Sequence, residues 1–519
     1  MEKRIVPTIR AMLCGCLLLL LLAGSAATQT FEQRTSLYLE RIRKQPQLLL
    51  PFLREMPKGG DLHNHLYGAI YAEDLVDFAA DGQLCVDRTS SRLIPGPCDS
   101  CENYTAKPAA RCAYADHVLY GQLVDAWSMR NWRPGDESGH DHFFTSFDKF
   151  GLAADTHLAG AIAAAINRAG MDHLQYLELM HTADAGRAAQ LAAKVEWSPD
   201  HANDYAKMRD ALLAAGMKDV ASETSKRLAA DEAHAKEILK CGTPDAAPGC
   251  NVTVRYLYQV LRGLPPQIVF AQILLGFELA SSDPRFVGFN LVMPEDWYVP
   301  LHDFNEHMAM IDYLHSVYPK VHITLHAGEL AMGLVPPEDL TFHIRASIER
   351  GHAERIGHGV DVMNETDAIA LLHEMADRNI LVEICLTSND LILGVSGDDH
   401  PLPIYMKYGV PVALATDDEG VSRSDLTHEY LRAVESYHLS YTDLKRMARQ
   451  SLEHSFLPGQ SLWTDTKLVF RMTPACASDA PGTDKEKPSA ACQQFLTAND
   501  RARMQWQLES EFAKFEKKY

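Results

Sequence analysis

The chain has 519 residues, 46% of them hydrophobic and 23% charged, which is the make-up of a globular protein with room for one large core or several smaller ones. Its formal charge is −20 and no Lys/Arg-rich stripe stands out, so neither a surface that tracks phosphates nor a nucleic acid polymer as partner is expected.

In chain order, Lys3, Arg4 and Arg10 precede an apolar run from Ala11 to Gly24, too short to cross a bilayer comfortably, and Gly24, Ser25, Ala26 and Ala27 supply the small residues that a signal peptidase cuts. Residues 1–27 are therefore expected to be a secretory signal, cleaved after Ala26 or Ala27. The mature chain is then secreted or periplasmic, with no stable membrane span. Residues 28–55 form an N-terminal extension in which Phe31–Glu55 reads as one amphipathic helix. That helix either docks a second subunit, giving a homodimer, or covers the main fold.

Eight short apolar runs follow, separated by longer segments with helical spacing: Gly60–Leu62, Leu174–Leu179, Val254–Val260, Phe286–Val292, Val321–Leu325, Glu354–Ile356, Leu381–Leu386 and Val410–Ala415. Strands alternating with helices imply parallel units, and eight is the number that closes an α/β barrel of the (β/α)₈ type over about residues 56–470. Insertions are expected at 83–139, rich in Pro, Gly, Asp and Cys, and at 183–252, where the Ala/Lys/Glu-rich stretch predicts helix. Residues 471–519 read as a linker and a terminal helix.

Of the eleven cysteines, Cys14 and Cys16 fall in the expected signal. Cys85, Cys98, Cys101 and Cys112 crowd one loop-like segment, and Cys241/Cys250 and Cys476/Cys492 form local pairs. In an exported protein such clusters point to disulfides; the rival reading of the first cluster is a structural zinc site, although Cys98-x-x-Cys101 lacks a second such pair. Cys385 stands alone in an apolar run and reads as a buried thiol.

The chemistry begins with His63-Asn-His65 at the end of the first run, where residues i and i+2 of an extended chain face the same way. His326, His358 and the pair Asp417-Asp418 end the fifth, sixth and eighth runs. Barrel enzymes assemble their sites at the C-terminal ends of several strands, so these distant residues are expected to converge. Each has a bland reading of its own, as a core-capping His or a helix-capping Asp, and the shared placement argues against all of them together.

The blocks Pro57-Lys-x-x-Asp-Leu-His-x-His-Leu-x-Gly-Ala69, His326-Ala-Gly-Glu329, Arg355-Ile-Gly-His-Gly359, Ser388-Asn389 and Thr416-Asp-Asp418 resemble the adenosine deaminase family in order and placement. The signal, the extension and the Cys-bearing insertion look most like its secreted, growth-factor-related branch. The resemblance implies that His63, His65, His326 and Asp417 hold one Zn²⁺ per chain, leaving a position for water. It implies further that His358 and Asp417 orient that water toward C6 of a purine, that Glu329 protonates N1, and that Asp418 hydrogen-bonds N7. The expected ligand is a small-molecule purine nucleoside. Two departures bear on substrate: compact members usually carry a ribose-binding Asp where Tyr67 stands, and a Gly whose N–H meets purine N3 where Met293 stands. They leave open another aminopurine, such as adenine, AMP or a modified adenosine, as the substrate. The growth-factor likeness keeps a purely binding role as a further alternative.

Overall fold

In this computed structural model, which describes residues 29–102, 106–135, 137–197, 201–467, 469–482 and 488–519, eight parallel strands pair in consecutive order. They are β1 (Gly59–His65), β2 (Leu174–His181), β3 (Thr253–Leu261), β4 (Phe286–Val292), β5 (His322–Ala327), β6 (Arg355–His358), β7 (Leu381–Ile384) and β8 (Val412–Leu414). The ring is stitched between the last strand and the first: His63 C=O accepts from Asp417 N–H at 2.9 Å and His65 N–H donates to Asp417 C=O at 3.2 Å. Asp61 tightens the same seam by accepting from the Thr416 hydroxyl at 2.5 Å. The α/β barrel expected from the spacing is the fold, and the expected signal lies outside the described residues.

Most strand residues are buried on both faces, which is why the runs read as short and apolar and not as alternating. Their boundaries depart from the sequence expectation at the polar ends. β1 extends through His65 because His63, Asn64 and His65 find partners inside the barrel mouth, although such residues alone suggest a strand that has ended. β7 stops at Ile384, and Cys385 is the buried, free thiol that leads into the next helix. β8 begins only at Val412, since Pro411 has no N–H to give to a ladder.

The extension is two helices, α1 (Phe31–Ile42) and α2 (Pro46–Glu55), and not the single helix predicted. Pro46 sits where a new helix can start but an old one cannot continue. Both pack on the terminal helix Asp500–Glu516: the Phe52 and Phe515 rings lie 5.1 Å apart, and Lys445 bridges Glu32 and Glu516 at 2.6 Å each.

The crowded cysteines pair as Cys85–Cys98 and Cys101–Cys112, and the others as Cys241–Cys250 and Cys476–Cys492, so the zinc-site reading of the first cluster is set aside. The first two disulfides tie down the excursion that leads into helix α3 (Gly139–Thr156); the third follows α4 (Met217–Ile238). Both helices contribute to the mouth of the barrel. A depression of about 790 Å³ outside the barrel, between helices Ala72–Asp81, Leu158–Met171 and α4, carries none of the residues singled out for chemistry.

His307, on helix Phe304–Val317, is fully buried with both ring nitrogens unpartnered, and burial, then the nearby Arg262 charge, hold it down at about 4. A histidine depressed in the folded state contributes stability above its unfolded value of about 6.5 and loses it as pH falls toward 4. His307→Leu lacks that loss. In urea denaturation, the stability of the variant relative to the wild type is expected to rise by about 2 kcal/mol between pH 7.5 and pH 5.

Candidate active site

Four side chains from the strand ends crowd one point. His63 Nε2 and His65 Nε2 lie 3.0 and 3.2 Å from His326 Nε2, and 3.4 and 3.2 Å from Asp417 Oδ1. Two nitrogens held tetrahedrally on one zinc at about 2.0–2.1 Å are roughly 3.3 Å apart, so the spacing fits a single metal ion.

The far side of each ring confirms which nitrogen faces inward. His63 Nδ1 lies 2.6 Å from Glu383 Oε2, His65 Nδ1 3.0 Å from Gln259 Oε1, and His326 Nδ1 3.0 Å from Asn290 Oδ1. The Asn290 oxygen is identified by the His326 backbone N–H, which also donates to it at 3.0 Å. With Nδ1–H donated outward, all three Nε2 lone pairs point into the cluster, the arrangement of metal-bound histidines. Burial opposes a charge on His63, yet the Asp417 and Glu383 carboxylates outweigh it and raise the ring to about 10, the response of a site built to hold positive charge.

Glu383 is itself fixed by the buried Arg355, whose Nε donates at 2.6 Å; a second donor of Arg355 reaches Glu178, also at 2.6 Å. Asp417 accepts from the Ser388 hydroxyl at 2.5 Å and sits at φ +59°, where side chains rarely settle.

The neighbouring carboxyls have opposite proton states. Burial opposes ionisation of Asp417, but His63 and His65 hold it well below the ordinary range. Burial, then Asp417, pushes Asp418 up to about 8. Glu329 is raised well above its ordinary value by burial, then by Asp417 and Glu295. Glu329 Oε1, Asp418 Oδ1 and His358 Nε2 are buried without a hydrogen-bond partner, and their residues line one pocket of about 710 Å³ that opens above the four convergent side chains. Gly68 is needed beside it: a Cβ there falls 1.5 Å from Asp418 Oδ1.

Met293 and Tyr67 line the same pocket. Met293 takes φ +87°, a conformation that favours glycine, and its side chain turns onto Gly263, whose N–H lies 3.3 Å from Sδ. Tyr67 donates its hydroxyl to Asp155 Oδ1 of α3 at 2.5 Å. Every residue singled out in the sequence is thus in or beside one cavity.

Several supports were not singled out. Arg262 donates to the Met293 carbonyl at 2.9 Å, to the His326 carbonyl at 3.2 Å and to Glu295 at 3.4 Å, and Glu295 in turn accepts the Glu329 N–H at 2.7 Å. Glu383 could have been noticed as a lone acid inside an apolar strand. Arg262, Glu295, Asn290 and Gln259 carry no such local signal.

Fold and cluster together define a metal-site α/β barrel. The adenosine deaminase family model matches residues 219–463, which include His326, Glu329, His358, Asp417 and Asp418. Adenosine deaminase of Escherichia coli (strain SMS-3-5 / SECEC) is 38% identical over 140 residues, 27% of this chain and 39% of that protein, so the chain matches well under half of the relative's length. Among solved structures, an adenine deaminase from Arthrobacter aurescens aligns with a TM-score of 0.50 at 17% identity, covering 78% of this chain and 94% of the other, a likeness of fold. Over residues 219–463 the chain is similar to the adenosine deaminase family.

Glu383→Gln keeps the shape but weakens the hydrogen-bond partner of His63. The expected result is a metal affinity lower by about 10–100-fold, measured by chelator competition, with the fold unchanged by circular dichroism.

Proposed function

We propose that this protein is a zinc-dependent hydrolase that converts adenosine or 2′-deoxyadenosine and water to inosine or 2′-deoxyinosine and ammonia. One observation carries the reading: three unpartnered polar atoms, two on carboxyls that burial and neighbouring charge push toward the protonated form and one on an imidazole, line a pocket beside a three-histidine, one-aspartate cluster. When bound by His63, His65, His326 and Asp417, zinc supplies a water acidified toward a pKa of about 7.

The protein's own groups do the rest. Glu329, pushed toward its protonated form by burial and then by Asp417 and Glu295, donates to N1 of the purine, which lets C6 accept oxygen without a ring anion forming. Asp418, pushed the same way, donates to N7 and fixes the face presented. His358 orients the attacking oxygen. Phe143, Phe144 and Phe147 of α3 wall the cavity and limit water around the reacting atoms.

The sugar end falls toward Tyr67. Asp155, held by the Tyr67 hydroxyl, presents a carboxylate from α3 at the same end of the pocket. Arg227 of α4 lines the same end and makes no hydrogen bond or ion pair among the described residues, which favours AMP as the second reading. Four disulfides support an exported protein, in agreement with the expected signal, and among the described residues no helix is long and apolar enough to cross a membrane.

The test is a panel of adenosine, 2′-deoxyadenosine, adenine and AMP offered to the zinc-loaded protein and followed by ammonia release. Adenosine and 2′-deoxyadenosine are expected to be turned over fastest. Glu329→Gln is expected to lose about 10²–10⁴-fold in kcat with its zinc retained. Faster release from AMP, abolished in Arg227→Ala, overturns the nucleoside assignment; no release from any of the four, or turnover undiminished in Glu329→Gln, contradicts the deaminase reading.

A further inference from the structure

His358 is wired in the opposite sense to the three convergent histidines. We propose that His400 and Asn389 are positioning residues that fix His358 as its Nε2–H tautomer, so that it meets the attacking oxygen as a hydrogen-bond donor and not as a proton acceptor. The role toward the oxygen rests on the deaminase reading above, whereas the tautomer does not.

The wiring starts from a group with no ambiguity. The Leu402 backbone N–H can only donate, and it donates to His400 Nδ1 at 3.1 Å. A neutral His400 must then carry its proton on Nε2, which lies 3.1 Å from Asn389 Oδ1 and donates to it. The amide is thereby oriented with its nitrogen toward His358, and Asn389 Nδ2 donates to His358 Nδ1 at 3.0 Å. An Nδ1 that accepts leaves the proton of a neutral ring on Nε2, the atom without a partner at the pocket.

Burial supports the premise that both rings are neutral. His358, Asn389 and His400 are almost completely enclosed. Desolvation, helped by the Arg432 charge, depresses His400 to about 4. The elements that hold the relay are short and rigid. Asn389 lies in helix Leu386–Leu393, next to Ser388, whose hydroxyl fixes Asp417, so one helical turn sets both a cluster carboxylate and the His358 ring. His400 precedes Pro401, where helix Leu402–Tyr408 begins and aims its first N–H at the ring.

The contrast within the site makes the assignment specific. His63, His65 and His326 each give Nδ1–H to an oxygen acceptor and turn a bare Nε2 inward. His358 receives a donor at Nδ1, the nitrogen that also lies 3.6 Å from Glu329 Oε1, and keeps its proton on the unpartnered Nε2. Although it is close enough to be counted among the cluster's nitrogens and oxygens, its inward atom carries a proton and has no lone pair to offer a metal. The same proton restrains the oxygen nucleophile by hydrogen bonding, with no proton passing to the ring.

The test is long-range ¹H–¹⁵N correlation spectroscopy of the zinc-loaded full chain with ¹⁵N-labelled histidine, His358 being assigned by its loss in His358→Gln. The expected spectrum shows His358 protonated at Nε2. Asn389→Asp keeps the shape but can only accept when ionised, so it is expected to move the proton to Nδ1 and to lower kcat by at least about 100-fold, as a wrong tautomer does in hydrolases with a triad, at unchanged KM and zinc content. His400→Gln, which retains a donor for Asn389, is expected to keep more activity than His400→Phe. Nδ1–H in the wild type overturns the proposal even if Asn389→Asp fails to fold, and a moved proton with unchanged kcat overturns the functional half. If the wild type shows Nε2–H but releases no ammonia from any aminopurine, the deaminase reading fails while the tautomer stands.

Discussion

The His63 and His65 Nε2 atoms each stand within 3.4 Å of both His326 Nε2 and Asp417 Oδ1 at the mouth of the barrel, in contacts that a shared cation accounts for. Lone pairs this close repel unless something positive lies between them. The rest of the site can be read as the means of holding that arrangement. The Asp61–Thr416 and His63–Asp417 hydrogen bonds close the ring where β1 meets the β8 end, so two histidines and the aspartate come from neighbouring backbone. His326 crosses from β5, and Asn290 from β4 holds both its backbone and its ring.

Proton placement follows from the same geometry. Asp417 and Asp418 are adjacent in sequence and chemically alike, yet one faces two imidazoles and stays ionised while the other faces burial and a like charge and holds its proton up to about 8. Glu329, raised by burial and two nearby carboxylates, joins the second group. A site with several carboxyls in a small volume is thereby divided into an ionised acceptor that suits a metal and carboxyls pushed toward the donor form. Arg262 moderates the crowding, since its guanidinium touches the Met293 and His326 carbonyls and Glu295 at once.

The barrel was legible because its strands are buried on both faces and alternate with helical spacing, and all eight runs correspond to observed strands. The convergent histidines and aspartates were legible from their place at strand ends, a topological signal that survives separations of hundreds of residues. What escaped was support that has no local pattern: Gln259, Asn290, Arg262 and Glu295 look like ordinary polar residues until the fold brings them under the site. The break at Pro46 was visible in principle, but the apolar spacing through Leu48–Leu50 concealed a new helix as the continuation of an old one. The mouth of the pocket was least legible, because α4 closes over it from a segment that read only as an insertion and α3 follows directly on the other one.

The convergence of His63, His65, His326 and Asp417 is the feature on which the rest of the site depends. The measurement that tests it most directly is the metal content of the purified, dialysed chain by mass spectrometry, alongside His326→Ala and with X-ray absorption at the zinc edge. The account predicts one zinc per chain bound by nitrogen and oxygen at about 2.0–2.1 Å, and its loss in the variant. No bound metal after zinc loading, or stoichiometric zinc retained by His326→Ala, would contradict it.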